Sequence, residues 1–203
     1  MTTKSPLDQP SAAQPHSVTP PLTEPSSVEY VILVDHHDEP IGVAEKLQAH
    51  RQGLLHRAFS IFVVNGQGQL LLQKRALAKY HSGGLWTNTC CSHPRPQETI
   101  AQAATRRLDE EMGIACDLTE LFSFIYQADL DHGLVEYEFD HVLLGYFDGE
   151  PKPNPAEAEA WQWIDLDNLQ RLIYNNPDDY TYWLRMCLNQ FRAALLTKER
   201  CLN

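Results

Sequence analysis

From Tyr30 onward the chain carries short apolar runs of the kind that fill a partly buried sheet. YVILVD (Tyr30 to Asp35) and IGVAEK (Ile41 to Lys46) lie either side of the polar turn HHDEP and predict a hairpin. SIFVVN and QLLLQKR flank Gly66-Gln67-Gly68, where glycine permits the positive φ of a tight turn, so a second hairpin is expected. HSGGLWTNTCCSHPRP follows, too irregular for a helix. The period then changes. Ile100, Ala104, Leu108 and Met112 recur every fourth residue and Gly113 stands where a helix closes on a left-handed residue, which predicts a helix over Thr99 to Met112. LFSFIYQA and VEYEFDHVLLGYF predict two strands around an Asp/Gly turn, and WQWIDL a further strand. Asp165 or Asp167 suits the start of a short helix, and Asp178 or Asp179 that of a last one over roughly Tyr180 to Lys198. Strands, helix, strands, helices in that order predict an α+β sandwich with mixed sheets rather than alternating βαβ units.

Composition adds boundaries. Residues 1–27 hold six of the 13 prolines among Ser, Thr and Gln, so a disordered tail is expected there and a single folded domain over 28–203. The net charge of -11 argues against an extended contact with nucleic acid or anionic lipid, so any anion must be held in a local pocket. No apolar run approaches the roughly 20 residues of a membrane-spanning helix. Five cysteines with one adjacent pair and no C-x-x-C make a poor disulfide framework. Lys4 is the sole cation before Ser27 and no apolar stretch precedes it, so a cytoplasmic protein is expected.

Candidate chemistry lies in the middle of the chain. Arg106, Arg107, Glu110 and Glu111 form two i, i+4 Arg/Glu pairs, which fit a solvated face; two adjacent carboxylates downstream of Glu98 also fit oxygen donors for Mg²⁺. In an extended segment Glu136 and Glu138 share one face and Val135, Tyr137 and Phe139 the other. Such a pair fits an exposed amphipathic strand, or a site with a cation between the carboxylates.

The spacing brings a resemblance into view. Read from Ser92, SHPRPQETIAQAATRRLDEEMGI resembles the Nudix box, with Glu98, Arg106, Leu108, Glu110, Glu111, Gly113 and Ile114 in register. Ser92 replaces the first glycine and Arg107 the glutamate after the arginine. Nudix hydrolases use that glutamate cluster to hold water-activating metals, so a cation at position 107 points away from hydrolysis. Both departures match one branch of the superfamily: from about Tyr30 to the C-terminal helix the chain resembles the type 1 isopentenyl-diphosphate isomerases. TNTCCSHP is similar to that family's Asn-x-x-Cys-x-His-Pro segment, VEYEF to its Glu-x-Glu strand, and EKLQAH and LLHRAFS supply histidines where the family has two more ligands.

The resemblance implies a Nudix-type α/β/α sandwich with mixed and antiparallel sheets, extra N-terminal strands and C-terminal helices. It implies Cys91 and Glu138 as opposed proton-transfer groups, assisted by Tyr126, in the isomerisation of isopentenyl to dimethylallyl diphosphate. It implies a metal centre of His50, His56, His93, Glu136 and Glu138 suited to Zn²⁺ or Mn²⁺ with an open position. Glu111 and the Cys91 carbonyl would help hold Mg²⁺, and no flavin is implied. Lys46, Arg75, Lys79 and Arg107 would bind the diphosphate, and Trp183 would cover the reacting carbons. A nearby cation would stabilise the Cys91 thiolate. His16, His36, His37, His81 and His132 are expected to lie apart from this centre, and Trp86, Trp161 and Trp163 to be structural. Two alternatives compete, a Nudix hydrolase of a nucleoside diphosphate derivative and a Nudix-fold binding or regulatory module. Arg107 and the histidines oppose the first; the presence of Cys91, Glu111, Glu136 and Glu138 opposes the second.

Overall fold

In the computed structural model, residues 28–202 are described, with side chains up to Lys198; the tail expected over 1–27, His16 included, lies outside them. β1 (Tyr30–Val34) and β2 (Pro40–Glu45) form the expected hairpin. The next residues turn helical instead of extending the strand, as α1 (Lys46–Gln52). Glu45 caps it by accepting from Leu47 N, and Gly53 closes it at φ 60. Two turns are too few for a periodic signal, so the strand reading ran on to Lys46.

β3 (His56–Val64) is an apolar run because both its faces are covered. Phe62 and Val64 face one layer, and Phe59, Ile61 and Val63 the other. It lies parallel to β8 (Val135–Tyr146). Its hairpin with β4 (Gln69–Arg75) opens beyond the Val64–Leu70 pair. The wedge comes from β5 (Trp86–Thr87) and β6 (Cys90–Ser92), short strands inside the segment that is too irregular for a helix. Between them the Thr89 hydroxyl accepts from Val63 N at 2.9 Å and donates to Leu71 O at 2.7 Å, bridging the two opened strands. β7 (Leu118–Asp129) pairs with β8 and β9 (Ala158–Asp165) with β4.

α2 (Ile100–Met112) packs Ala103, Ala104, Leu108 and Met112 on one face of the sheet. Thr99 and Gln102 form its capping box and Gly113 closes it at φ 61. α3 (Leu166–Asn175) and α4 (Tyr182–Leu202) cover the other face, with Phe191 stacked on Phe62 at 4.2 Å. Neither Asp165 nor Asp178 nor Asp179 makes a side-chain cap; the two latter residues lie in a 3-10 turn, Pro177–Asp179, ahead of α4. The result is the three-layer α/β/α sandwich, with a mixed sheet. Among the described residues no helix is long and apolar enough to cross a membrane.

Candidate active site

Strand register assembles the centre of the site. β3 places His56 opposite Glu138 and β7 places Tyr126 opposite Glu138, while β6 sets Cys91 opposite Ser60. Directly opposed residues share a face of the sheet. α1 adds His50 and Lys46 one turn apart, and the chain leaving β6 adds His93.

His93 Nε2 lies 2.9 Å from Glu138 Oε1 and 3.2 Å from His56 Nε2, with His56 Nε2 3.6 Å from the same carboxylate oxygen. The Nδ1–H groups of His50 and His56 donate to the carbonyls of Lys46 and Leu54 at 2.8 and 2.7 Å. A carbonyl only accepts, so each ring turns its Nε2 toward the rest of the cluster. His93 Nδ1 is buried without a partner. Burial pushes His50 down to about 4 and His93 to about 3, which makes them neutral. Burial alone would raise the Glu138 carboxyl, but the His56 and His93 imidazoles outweigh it and hold it well below the usual range. Burial and the Glu138 charge drive Glu136 well above that range. The Tyr126 hydroxyl reaches Glu136 Oε2 at 3.0 Å and Glu138 Oε2 at 2.6 Å. Imidazole nitrogens gathered within 4.8 Å of a carboxylate oxygen fit a divalent transition metal ion.

Cys91 lies in the same cleft as Tyr126, Glu136 and Glu138. Its Sγ is 3.0 Å from Asn88 Oδ1 and accepts from Trp183 Nε1 at 2.9 Å. The Asn88 amide cannot turn, because its Nδ2 donates to the carbonyls of Ile61 and Cys90 at 3.0 and 3.1 Å. Burial pushes the Cys91 thiol up to about 12, so the protein's own groups keep the sulfur protonated.

Lys46, Arg75, Lys79 and Arg107 also line this cleft. Arg75 is 6% exposed, stacks over Trp183 at 5.3 Å and bonds the His81 carbonyl at 3.2 Å. Arg107 bonds Glu111 at 2.5 Å, Glu110 at 2.8 Å and Glu157 at 3.0 Å. Lys79 pairs with Glu157, and Lys46 with Glu29 at 2.8 Å. Nε of both Arg75 and Arg107 is buried without a partner. Orphaned guanidinium donors cost about 1 to 3 kcal/mol each, and a phosphate oxygen would satisfy them. Glu111, bonded to Gln73 Nε2 at 3.0 Å, brings a buried carboxylate to the same cleft, which fits Mg²⁺ that takes its other oxygens from phosphate and water.

The structure thus brings Lys46, Arg75, Lys79, Cys91, His93, Arg107, Glu111, Tyr126, Glu136, Glu138 and Trp183 to one cleft, with His50 and His56 fully buried behind the first of these donors. Glu98 stays outside, bound to Arg106 at 2.7 and 2.8 Å. His81 corrects an expectation: it is not apart from the centre, since its Nε2 lies 3.5 Å from Glu136 Oε1. A Gly-rich loop places it there, which no periodicity signals. His36, His37 and His132 are exposed. Asn88 and Glu157 were passed over, the first within the quoted motif and the second 50 residues from its Arg107 partner.

A NUDIX domain model matches residues 54–185. The chain is 56% identical over 166 residues, 82% of its length and 94% of the relative's, to Isopentenyl-diphosphate Delta-isomerase 1 of Aromatoleum aromaticum. It is 51% identical over 172 residues, 85% and 97% of the two lengths, to Isopentenyl-diphosphate Delta-isomerase of Burkholderia multivorans. Among solved structures, a protein of Deinococcus radiodurans shares the fold at TM-score 0.62 and 22% identity, covering 72% of this chain and 90% of that one. A MutT NUDIX hydrolase of Burkholderia pseudomallei matches at TM-score 0.54 and 27% identity, covering 67% and 97%. With a Nudix domain over most of its length and isomerases as its half-identical relatives, the chain belongs to the Nudix superfamily and, within it, to the isopentenyl-diphosphate Delta-isomerase family.

Proposed function

We propose that the chain interconverts isopentenyl diphosphate and dimethylallyl diphosphate, supplying isoprenoid synthesis, through Cys91 and Glu138. The observation that carries this is the shared cleft of Cys91, Trp183 and the Tyr126-linked Glu138, which two arginines with orphaned Nε donors also line. Protonation of the terminal methylene of the substrate makes a methyl group and a tertiary cation. Loss of a proton from the carbon next to the diphosphate-bearing one then moves the double bond, so the formula is unchanged. The site therefore needs two proton-transfer groups and a dry wall. Cys91 and Glu138 exchange the roles of donor and acceptor between the two directions. The Tyr126 hydroxyl orients Glu138, and the Trp183 ring presents a π face to the cationic carbon.

Lys46, Arg75, Lys79 and Arg107 hold the diphosphate, an anchor remote from the reacting carbons. His50, His56, His93, Glu136 and Glu138 would hold Zn²⁺ or Mn²⁺, and Glu111 with Cys91 would hold Mg²⁺. When bound, these ions supply electrostatics: the first fixes Glu138 and tunes its basicity, and the second neutralises diphosphate charge. The four described cysteines are free thiols, which fits a reducing cytoplasm. Residues 28–203 act as one domain.

The competing reading is Nudix hydrolysis, and paired assays separate the two. Purified chain with Mg²⁺ and Zn²⁺ or Mn²⁺ should convert isopentenyl diphosphate without releasing phosphate. Phosphate release from nucleoside diphosphate derivatives, with no conversion, would overturn the isomerase reading.

A further inference from the structure

His81 is not among the ligands that the resemblance implies, yet it lies inside the donor cluster. Its ring is buried, and its Nδ1 faces Ser82 Oγ at 3.2 Å, which leaves Nε2 directed at Glu136. The 3.5 Å separation from Glu136 Oε1 is too long for a good hydrogen bond. Two donors each about 2.1 Å from one ion, however, stand roughly 3.0 to 3.5 Å apart.

The loop that carries His81 is built to hold it. Ser82 sits at φ 51, which is costly for a residue with a side chain, and its N–H is bound by Asp131 Oδ2 at 3.2 Å. A Cβ on Gly83 would meet Leu77 O at 2.7 Å, so the chain can pass there only as glycine. The His81 carbonyl is taken by Arg75 at 3.2 Å.

His50, His81 and Glu136 form one set of donor atoms within 4.8 Å of one another, and His50, His56, His93 and Glu138 form another. The sets share His50, which decides between one ion and two. Its Nδ1 is engaged by the Lys46 carbonyl, so Nε2 alone remains, and one nitrogen lone pair serves one ion. The two carboxylates are also tied together through the Tyr126 hydroxyl.

We propose that His81 is a further ligand of the His/Glu centre, so that one divalent transition metal ion is held by the imidazoles of His50, His56, His81 and His93 and by Glu136 and Glu138. This rests on the reading of that centre as the isomerase's metal site. A fourth imidazole fills a position that would otherwise be open, which suits an ion that anchors carboxylates rather than one that activates water.

The test is anomalous diffraction at the zinc edge from crystals of the full, zinc-loaded chain. The expected result is a single peak in the cluster with His81 Nε2 at about 2.1 Å. A peak bound by His50, His56 and His93 with His81 beyond about 3 Å would overturn the fourth ligand and leave the metal centre standing. No peak in the cluster of protein that isomerises would overturn both. His81→Gln supplies a second readout in solution: zinc loss to a chelator should be at least about 10-fold faster, with the far-ultraviolet spectrum unchanged. Zinc retention equal to the parent chain would overturn the proposal.

Discussion

Cys91 and Glu138 are each held by a buried polar side chain, Asn88 and Tyr126. The Asn88 amide, pinned by two carbonyls, offers only its oxygen to the thiol, and the Tyr126 hydroxyl does the corresponding work for Glu138. Replacing Cys91 with Ala or Glu138 with Val should therefore lower kcat by orders of magnitude, with the circular dichroism spectrum retained; near-parental kcat in either would contradict their roles. Asn88→Ala takes a donor from two buried carbonyls and the 3.0 Å acceptor from the thiol. It should lower kcat about 10-fold or more with KM within about twofold, and reduce stability by about 1 to 3 kcal/mol. A raised KM at unchanged kcat would show instead that Asn88 serves substrate binding. At this scale the motif residues were legible because their spacing is fixed along the chain. His81 was not, since a lone histidine in a Gly-rich loop has no pattern and only folding sets it against Glu136.

At the scale of elements, α2 was readable nearly to the residue because period, cap and closing glycine agree. α1 was not, since its seven residues are fixed by Glu45, Gly53 and tertiary packing rather than by propensity. The opened β3/β4 hairpin was equally hidden, because the Thr89 wedge that splits it lies 25 residues beyond the end of β3 at Val64. Gly113 carries a test of how α2 is seated. Its φ is 61, and a Cβ there would lie 2.9 Å from both Lys152 Cβ and Lys152 O. Gly113→Ala should thus cost more than the ~1 kcal/mol of left-handed strain alone, measured by urea unfolding. A loss of a few tenths of a kcal/mol would mean that the Lys152 segment yields freely.

For the molecule as a whole, the net charge of -11 is offset only where the fold gathers its cations, and Glu157 on the segment leading into β9 ties two of them, Lys79 and Arg107, together. Burial would raise the Glu157 carboxyl, but hydrogen bonds and charge from Lys79 and Arg107 hold it at about 2. A depressed carboxylate stabilises the fold above the ordinary carboxylate range, and that stability is lost as pH falls from about 4.5 towards 2. At about 1.4 kcal/mol per unit, the upper bound is ~3.5 kcal/mol at neutral pH. Glu157→Gln should therefore melt below the parent at pH 7, and the gap should close between pH 4.5 and 2. A gap that stays constant over that range would refute the ion-pair account.

The central claim is a proton transfer between opposed groups on an allylic diphosphate. Proton NMR of the reduced chain with isopentenyl diphosphate, Mg²⁺ and trace Zn²⁺ or Mn²⁺ in deuterated water tests it most directly. Dimethylallyl methyl signals should appear together with deuterium incorporated at the new methyl group. An unchanged substrate spectrum from folded, metal-reconstituted protein would contradict it.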